Sequence, residues 1–296
     1  MITKQDFEDA TAFELLLLQT ILDAGESSSE EMIDLTDSSG ITRRLCSMIA
    51  ISDNDVKALK TKLLPLGFGA GWKIVDLMIE YEIALAGLTP SNGYLTIETK
   101  KQYALNKSIN GRSFQCDQQT WYCLLDLYAN TVEHRHSLVH RTAQVDWASG
   151  VLHGSDRRTK QALVALTREE QLAFVNAAVL AAKGVLEGNI SQRDEALLKH
   201  YLNQLTHHSK ASVISGASAP QAIAVKIPLE TDERGLFVDL RMQLNKLTQQ
   251  LPTCYFDVII HYPMNPALKI RTKSELMPHS RVYIDLNAPP GWLHIV

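Results

Sequence analysis

The sequence predicts a mainly α chain that carries a small α+β domain at its C-terminal end. Three observations lead there. Up to about residue 208, apolar residues recur at three- and four-residue spacing, the mark of amphipathic helices, with no convincing alternating strand. Residues 207–221, HHSKASVISGASAPQ, are small and polar apart from Val213 and Ile214, and read as a linker. Beyond them come short β-rich runs, several separated by prolines and glycines. The expected organisation is an N-terminal helical region over 1–66, a helical domain over 67–206, the linker over 207–221 and the α+β domain over 222–296. A length of 296 residues fits about two domains at roughly 150 residues each.

In the first predicted helix Phe7, Phe13, Leu17 and Ile21 recur at helical spacing, and the polar stretch ESSSEEMIDLTD, 26–37, interrupts the pattern. Asp53 is placed to cap DNDVKALKTKLL, which Pro65 and Gly67 are expected to close. GFGAG, 67–71, then reads as a turn opening a strong helix that presents Ile74, Leu77, Met78, Tyr81 and Leu85 on one face. It lacks the preceding strand and the Lys-Ser/Thr ending of a phosphate loop, so close packing is the expected role of its glycines. Further helices are expected at about 96–110, 117–141 and 167–186. The last starts with Thr167 and Glu170 in the capping-box pattern and stops before Gly188. DEALLKHYLNQL adds one more helix. The β-rich runs are 222–229, 236–240, 254–262, 268–272, 281–286 and 292–296, with a helix expected over MQLNKLTQQL.

Composition excludes several classes. Lys plus Arg is 29 against 33 Asp plus Glu, a formal net charge of −4, which argues against a broad basic platform but not against a local basic site. The four cysteines, Cys46, Cys116, Cys123 and Cys254, are too scattered for a disulfide scaffold or a zinc knuckle. Reduced thiols in a cytoplasmic protein are the expectation. Leu15–Leu18 follow Asp6, Glu8, Asp9 and Glu14, unlike a signal sequence, and no apolar run reaches the ~18 residues of a membrane span.

The most informative segment is Trp121–Arg141, WYCLLDLYANTVEHRHSLVHR. Its apolar seam runs Trp121, Leu125, Tyr128, Val132 and Val139, and position 135 of that seam is an arginine. A guanidinium turned toward a packed face is costly unless an anion meets it. Arg135 therefore either pairs with a buried carboxylate or lines a cleft. Glu133, His134, His136 and His140 surround it in sequence. His136 and His140, at i and i+4, share a helix face, whereas Arg135 and His140 lie roughly 140° apart around an ideal helix.

RHSLVH, Arg135 to His140, resembles the Arg-x4-His signature of HEPN domains, the higher eukaryotes and prokaryotes nucleotide-binding family. GWKIVDLMIEYEIALAG is similar to that family's first core helix, WYCLLDLYANTVEHRHSLVHRTAQVD to its motif helix, and LTREEQLAFVNAAVLAAKGVL to the helix packed behind it. The resemblance covers about residues 67–205. It implies a HEPN-like helical bundle and, for many members, a metal-independent endoribonuclease needing no cofactor. It also implies a homodimer whose paired motif helices bring Arg135 and His140 of each subunit to one cleft. In a prokaryotic toxin, stress or phage-defence setting, RNA would be the substrate. A family subset carries Tyr two residues past the His and is modified there by a partner nucleotidyltransferase. This chain has Thr142 at that position, so that pairing is not expected.

The side chains suit the implied chemistry. Cleaving RNA without metal needs a proton-transfer group near neutrality, as His140 offers, and a planar bidentate donor over the phosphate, as Arg135 offers. His136 is the third candidate. Arg157, Arg158 and Lys160 after the motif helix, and Lys100 and Lys101 before it, are candidate RNA-backbone contacts. Such charges are more often only a solvated surface. Four other readings stand beside this one: a solvated helix end with cations against the dipole, a metal site from His134, His136 and His140, a non-catalytic HEPN-like module binding RNA, a nucleotide or a protein, and a purely structural helical adaptor. The C-terminal domain has a local basic excess at Lys226, Arg241, Lys269, Arg271, Lys273 and Arg281. It is a candidate site for a regulatory protein or ligand.

Overall fold

The structure is a computed structural model. It describes residues 2–23, 33–36, 42–45, 53–90, 94–140, 142–146, 148–208, 214, 222–239, 244–245, 249, 254–262, 264–265, 269–273, 281–291 and 293–295. The chain divides into two compact units, Met1–Ala217 and Ser218–Val296. The fold is mainly α, with six helices delimited among the described residues and a few small sheets.

The first unit holds α1 (Lys4–Asp23), β1 (Ile33–Thr36), β2 (Thr42–Leu45), α2 (Asp53–Leu85), α3 (Ile97–Leu105), α4 (Gln118–Val139), β3 (Gln144–Val145), β4 (Leu152–His153), α5 (Arg168–Glu187) and α6 (Gln192–Gln204). In α1 the buried positions are Phe7, Thr11, Glu14 and Leu18, a four-three-four progression that keeps one face inward. Phe13 lies six residues past Phe7, about 240° round the helix, and is 70% exposed, so it is not part of the face the sequence suggested. Lys73 of α2 donates to the buried Glu14 carboxylate, and Phe7 stacks on Tyr81 at 6.1 Å.

The expected break at 66/67 falls inside a helix. α2 runs unbroken through Pro65 and through Gly67, Gly69 and Gly71. Proline removes one backbone donor and costs roughly 3 kcal/mol within a helix, but Leu64, Phe68, Trp72, Ile74, Val75 and Met78 are all buried on either side of it. Tertiary burial of a long face outweighs one missing hydrogen bond. The glycines serve packing, not a turn. A Cβ at Gly71 would meet Ala178 Cβ at 3.4 Å and Phe174 Cδ1 at 3.5 Å, so α2 and α5 approach closely. Phe68 and Phe174 face each other there at 4.7 Å.

α5 starts on a capping box: the Thr167 hydroxyl accepts from the Glu170 N–H at 3.1 Å, and the Glu170 carboxylate accepts from the Thr167 N–H at 2.8 Å. It stops at Gly188, whose φ of 78° is left-handed. α4 starts on Asp117, which accepts from the Thr120 N–H at 3.0 Å. The strand-free expectation for this unit is corrected by two short antiparallel pairs, β1 with β2 and β3 with β4. A two-residue strand such as β3 is too short to show alternation.

Residues 207–221 are not wholly a linker. His208 and Ile214 are buried, and Asn203 bonds both backbone groups of Ile214, at 2.8 and 3.1 Å.

The second unit builds a four-stranded sheet in the order β11-β9-β8-β5 and a three-stranded sheet β10-β7-β6. Its strands are β5 (Ala222–Pro228), β6 (Glu230–Asp232), β7 (Gly235–Asp239), β8 (Tyr255–His261), β9 (Lys269–Lys273), β10 (Arg281–Tyr283) and β11 (His294–Ile295). β5 and β8 are parallel and every other pairing is antiparallel. Along β8, Phe256, Val258 and Ile260 alternate inward to a core shared with Ile227, Val238 and Ile270. Among the basic residues of this unit, Lys226 is exposed, while Arg281 lies 3.4 Å from the Phe237 ring centroid and 3.0 Å from Asp232. The side chains of Arg241, Lys269, Arg271 and Lys273, and most of the helix expected over 242–251, lie outside the described residues.

Candidate functional site

The motif occupies the last turns of α4. That helix ends because His140 leaves helical geometry, at φ −91° and ψ 10°, with its N–H still donating to the His136 carbonyl at 2.9 Å. Two further N–H groups, of Thr142 and Ala143, fold back onto the Ser137 carbonyl. The negative end of the α4 dipole lies here, a position that favours cationic side chains.

The seam expected from the sequence is present: Trp121, Leu125, Tyr128 and Val132 are buried. Val139 is 55% exposed, so the packed part of the seam ends just where Arg135 begins to emerge. Arg135 is half-buried, and among the described residues no carboxylate pairs with it. Its guanidinium carbon instead lies 5.5 Å from the ring centroid of Trp72 on α2. Trp72 stacks on Tyr128 at 4.9 Å and 21°. The Tyr128 hydroxyl donates to Asp76 at 2.7 Å, and the Lys100 ammonium donates to Asp76 at 2.6 Å and to Glu80 at 3.3 Å. Burial, then the charge of Asp76, pushes the Tyr128 phenol far above its ordinary value, so it stays a donor.

The three histidines divide between two environments. His134 is buried on the far side of α4, with Nε2 2.7 Å from the Val164 carbonyl and its ring edge-on to His208 at 5.7 Å. His208 in turn has Nε2 3.2 Å from Glu170 of α5. Burial holds His134 below the ordinary histidine value. His136 and His140 share the other side, stacked at 6.0 Å and 26°. His134 therefore turns away from His136 and His140, and the three do not converge on a metal. Among the described residues no group of three potential ligands does. His140 is exposed. His136 is half-buried, its Nδ1 is enclosed without a hydrogen-bond partner among the described residues, and its pKa lies below the ordinary value. Burial is the main cause of that shift. Glu133 opposes it, and Arg135, Arg157 and His140 reinforce it by charge repulsion.

Arg157 is brought here by a second hairpin, which runs on from β4 and is closed by the antiparallel bridges Leu152–Leu166 and Ser155–Ala162. Ser137, buried on α4, donates its hydroxyl to the Ser155 carbonyl at 2.9 Å and accepts from the Ser155 N–H at 3.1 Å. The Arg157 N–H donates to Glu133 at 3.3 Å. The Asp156 carboxylate accepts from the N–H groups of Arg158 and Thr159, closing a tight turn in which Lys160 has φ 60°. Arg157, Arg158 and Lys160 are exposed on that turn, one side of which is pinned to the motif helix.

The cations ahead of the motif are placed differently. Lys100 is only 4% exposed and committed to Asp76 and Glu80, inside the fold rather than on a surface that a phosphate backbone can reach. Lys101 is half-buried. The physical reason is the register of α3, whose Lys100 and Ala104 form its buried stripe. Trp72, Asp76 and the Ser137–Ser155 clasp were not marked by the sequence. Arg135 and Trp72 are on different helices, and no local spacing links them.

Comparison with protein-family models, with curated proteins and with solved structures gives no match.

Proposed function

We propose that the chain is a metal-independent endoribonuclease of HEPN type that works as a homodimer in a prokaryotic toxin, stress or phage-defence setting in the cytoplasm. The observation that carries this is the half-buried Arg135 guanidinium, unpaired with any described carboxylate, beside the stacked His136 and His140 and the pinned Arg157 turn. An RNA phosphodiester supplies the missing anion. Arg135 donates to its non-bridging oxygens as negative charge builds in the phosphorane. A neutral imidazole takes the 2′-OH proton, the 2′-oxygen bonds to phosphorus, and the bond to the 5′-oxygen breaks as that oxygen receives a proton. The products are a 2′,3′-cyclic phosphate and a 5′-hydroxyl, with no oxidant or metal in the balance. The lowered pKa of His136 favours its neutral form near pH 7, which suits it to the accepting role, with exposed His140 at the opposite step.

The test is cleavage of single-stranded RNA in EDTA. Wild-type protein is expected to cut, with Arg135→Ala and His140→Ala each slowing the reaction by about 10²- to 10⁴-fold. Cleavage that survives either substitution would sink the mechanism. Salt-dependent RNA binding without cleavage would assign the chain to the non-catalytic binding modules instead.

A further inference from the structure

A protein can hold a half-buried guanidinium in two ways. An ion pair with a carboxylate uses the N–H edges of the fork, whereas a cation–π contact engages the charge and needs none of the five N–H donors as hydrogen bonds to the protein. Arg135 has the second kind of neighbour: among the described residues no carboxylate pairs with it, and its guanidinium carbon lies over the Trp72 ring, 5.5 Å from the centroid, within the range of a cation–π contact. Trp72 is 1% exposed, so it cannot meet a substrate itself. Its indole N–H has no hydrogen-bond partner among the described residues, so the polar end of the ring does not anchor it. The ring faces do: one neighbour is Arg135 and another is Tyr128 at 4.9 Å. Tyr128 is fixed by Asp76, and Asp76 by Lys100, whose ammonium is buried. Each member of the chain Lys100–Asp76–Tyr128–Trp72 immobilises the next.

We infer that Trp72, backed by Tyr128, Asp76 and Lys100, is a positioning residue that holds the Arg135 guanidinium over its ring by a cation–π contact and so leaves the N–H donors open to an oxyanion such as a phosphodiester. The catalytic consequence rests on the ribonuclease reading; the placement of Arg135 does not. A carboxylate in the place of Trp72 would fix Arg135 as firmly but would occupy the donors the phosphate needs. An aliphatic side chain would leave the donors free but the guanidinium unplaced.

The experiment has an arm that needs no activity. The Nε–Hε cross-peak of Arg135, assigned by its loss in Arg135→Lys, should lie upfield of the exposed arginines through the ring current of Trp72. It should stay upfield in Trp72→Phe and move to the exposed position in Trp72→Leu. Titration with a non-cleavable 2′-O-methyl oligoribonucleotide should shift it in wild type and in Trp72→Phe. In single-turnover RNA cleavage, Trp72→Leu should lose about 10-fold in rate, in line with a desolvated cation–π contact, and Trp72→Phe should recover most of it. An Arg135 peak at the exposed position in wild type would overturn the inference even if Trp72→Leu fails to fold. So would an unmoved peak in a folded Trp72→Leu protein. If wild type cuts no RNA, the ribonuclease reading fails, while the peak position still decides the role of Trp72.

Discussion

Replacing Lys100 by Met separates a structural lysine from an RNA contact. The Lys100 ammonium lies 2.6 Å from Asp76 and 3.3 Å from Glu80, and the residue is 4% exposed. At an effective dielectric of about 20, those distances correspond to roughly 6 and 5 kcal/mol of gross attraction. Most of this is offset by the cost of desolvating the lysine, and the Glu80 side chain is about a third exposed and screened. What remains on substitution is an uncompensated carboxylate pair, with Asp76 still accepting from Tyr128. The expected loss is about 3 kcal/mol, at the low end for breaking a buried pair. For a unit of this size that is a fall in Tm of roughly 6–12 °C. Thermal and urea unfolding of Lys100→Met measure it, and Asp76→Asn in the same chain should recover about 1–2 kcal/mol, because the two groups are coupled. A Lys100→Met protein as stable as wild type but weaker in RNA binding would refute the reasoning, since that is how a surface phosphate contact behaves.

Two further outcomes are expected. His134 is buried and held below its ordinary value of 6.5, so the folded state resists a proton that the unfolded state accepts. Stability is then fully present above about pH 6.5 and declines as pH falls toward the depressed folded value, and His134→Gln should flatten that slope in melts between about pH 7.5 and 5.5. Ser137→Ala removes both bonds to Ser155, at 2.9 and 3.1 Å, and should cost about 1–2 kcal/mol. Hydrogen exchange at the Ser155 amide should rise well before global unfolding, and unchanged exchange would mean that Ser137 does not hold the hairpin.

Local signals were legible wherever one element carried its own evidence. The α5 capping box, its Gly188 stop and the buried seam of α4 from Trp121 to Val132 depend on spacing within a helix, and spacing is written in the sequence. So is the alternation in β8. Signals that compete were misjudged. Pro65 and the GFGAG glycines argued locally for a break, yet packing against α5 carries α2 through them. Phe13 looked apolar enough for the core, but the face chosen by Phe7, Thr11, Glu14 and Leu18 leaves it outside.

The sequence by itself determined that the chain is mainly helical, that β-rich runs follow, and that Arg135, His136 and His140 sit together near the end of one helix. These are matters of period and proximity along one strand of chain. Only the tertiary structure decided that Arg135 rests on Trp72 rather than on a carboxylate, that His134 turns away to His208, that Lys100 is buried, and that a hairpin brings Arg157 back to Glu133. Each of those depends on which face of one element meets another. That choice is made by the packing of the whole core, so no window of sequence contains it.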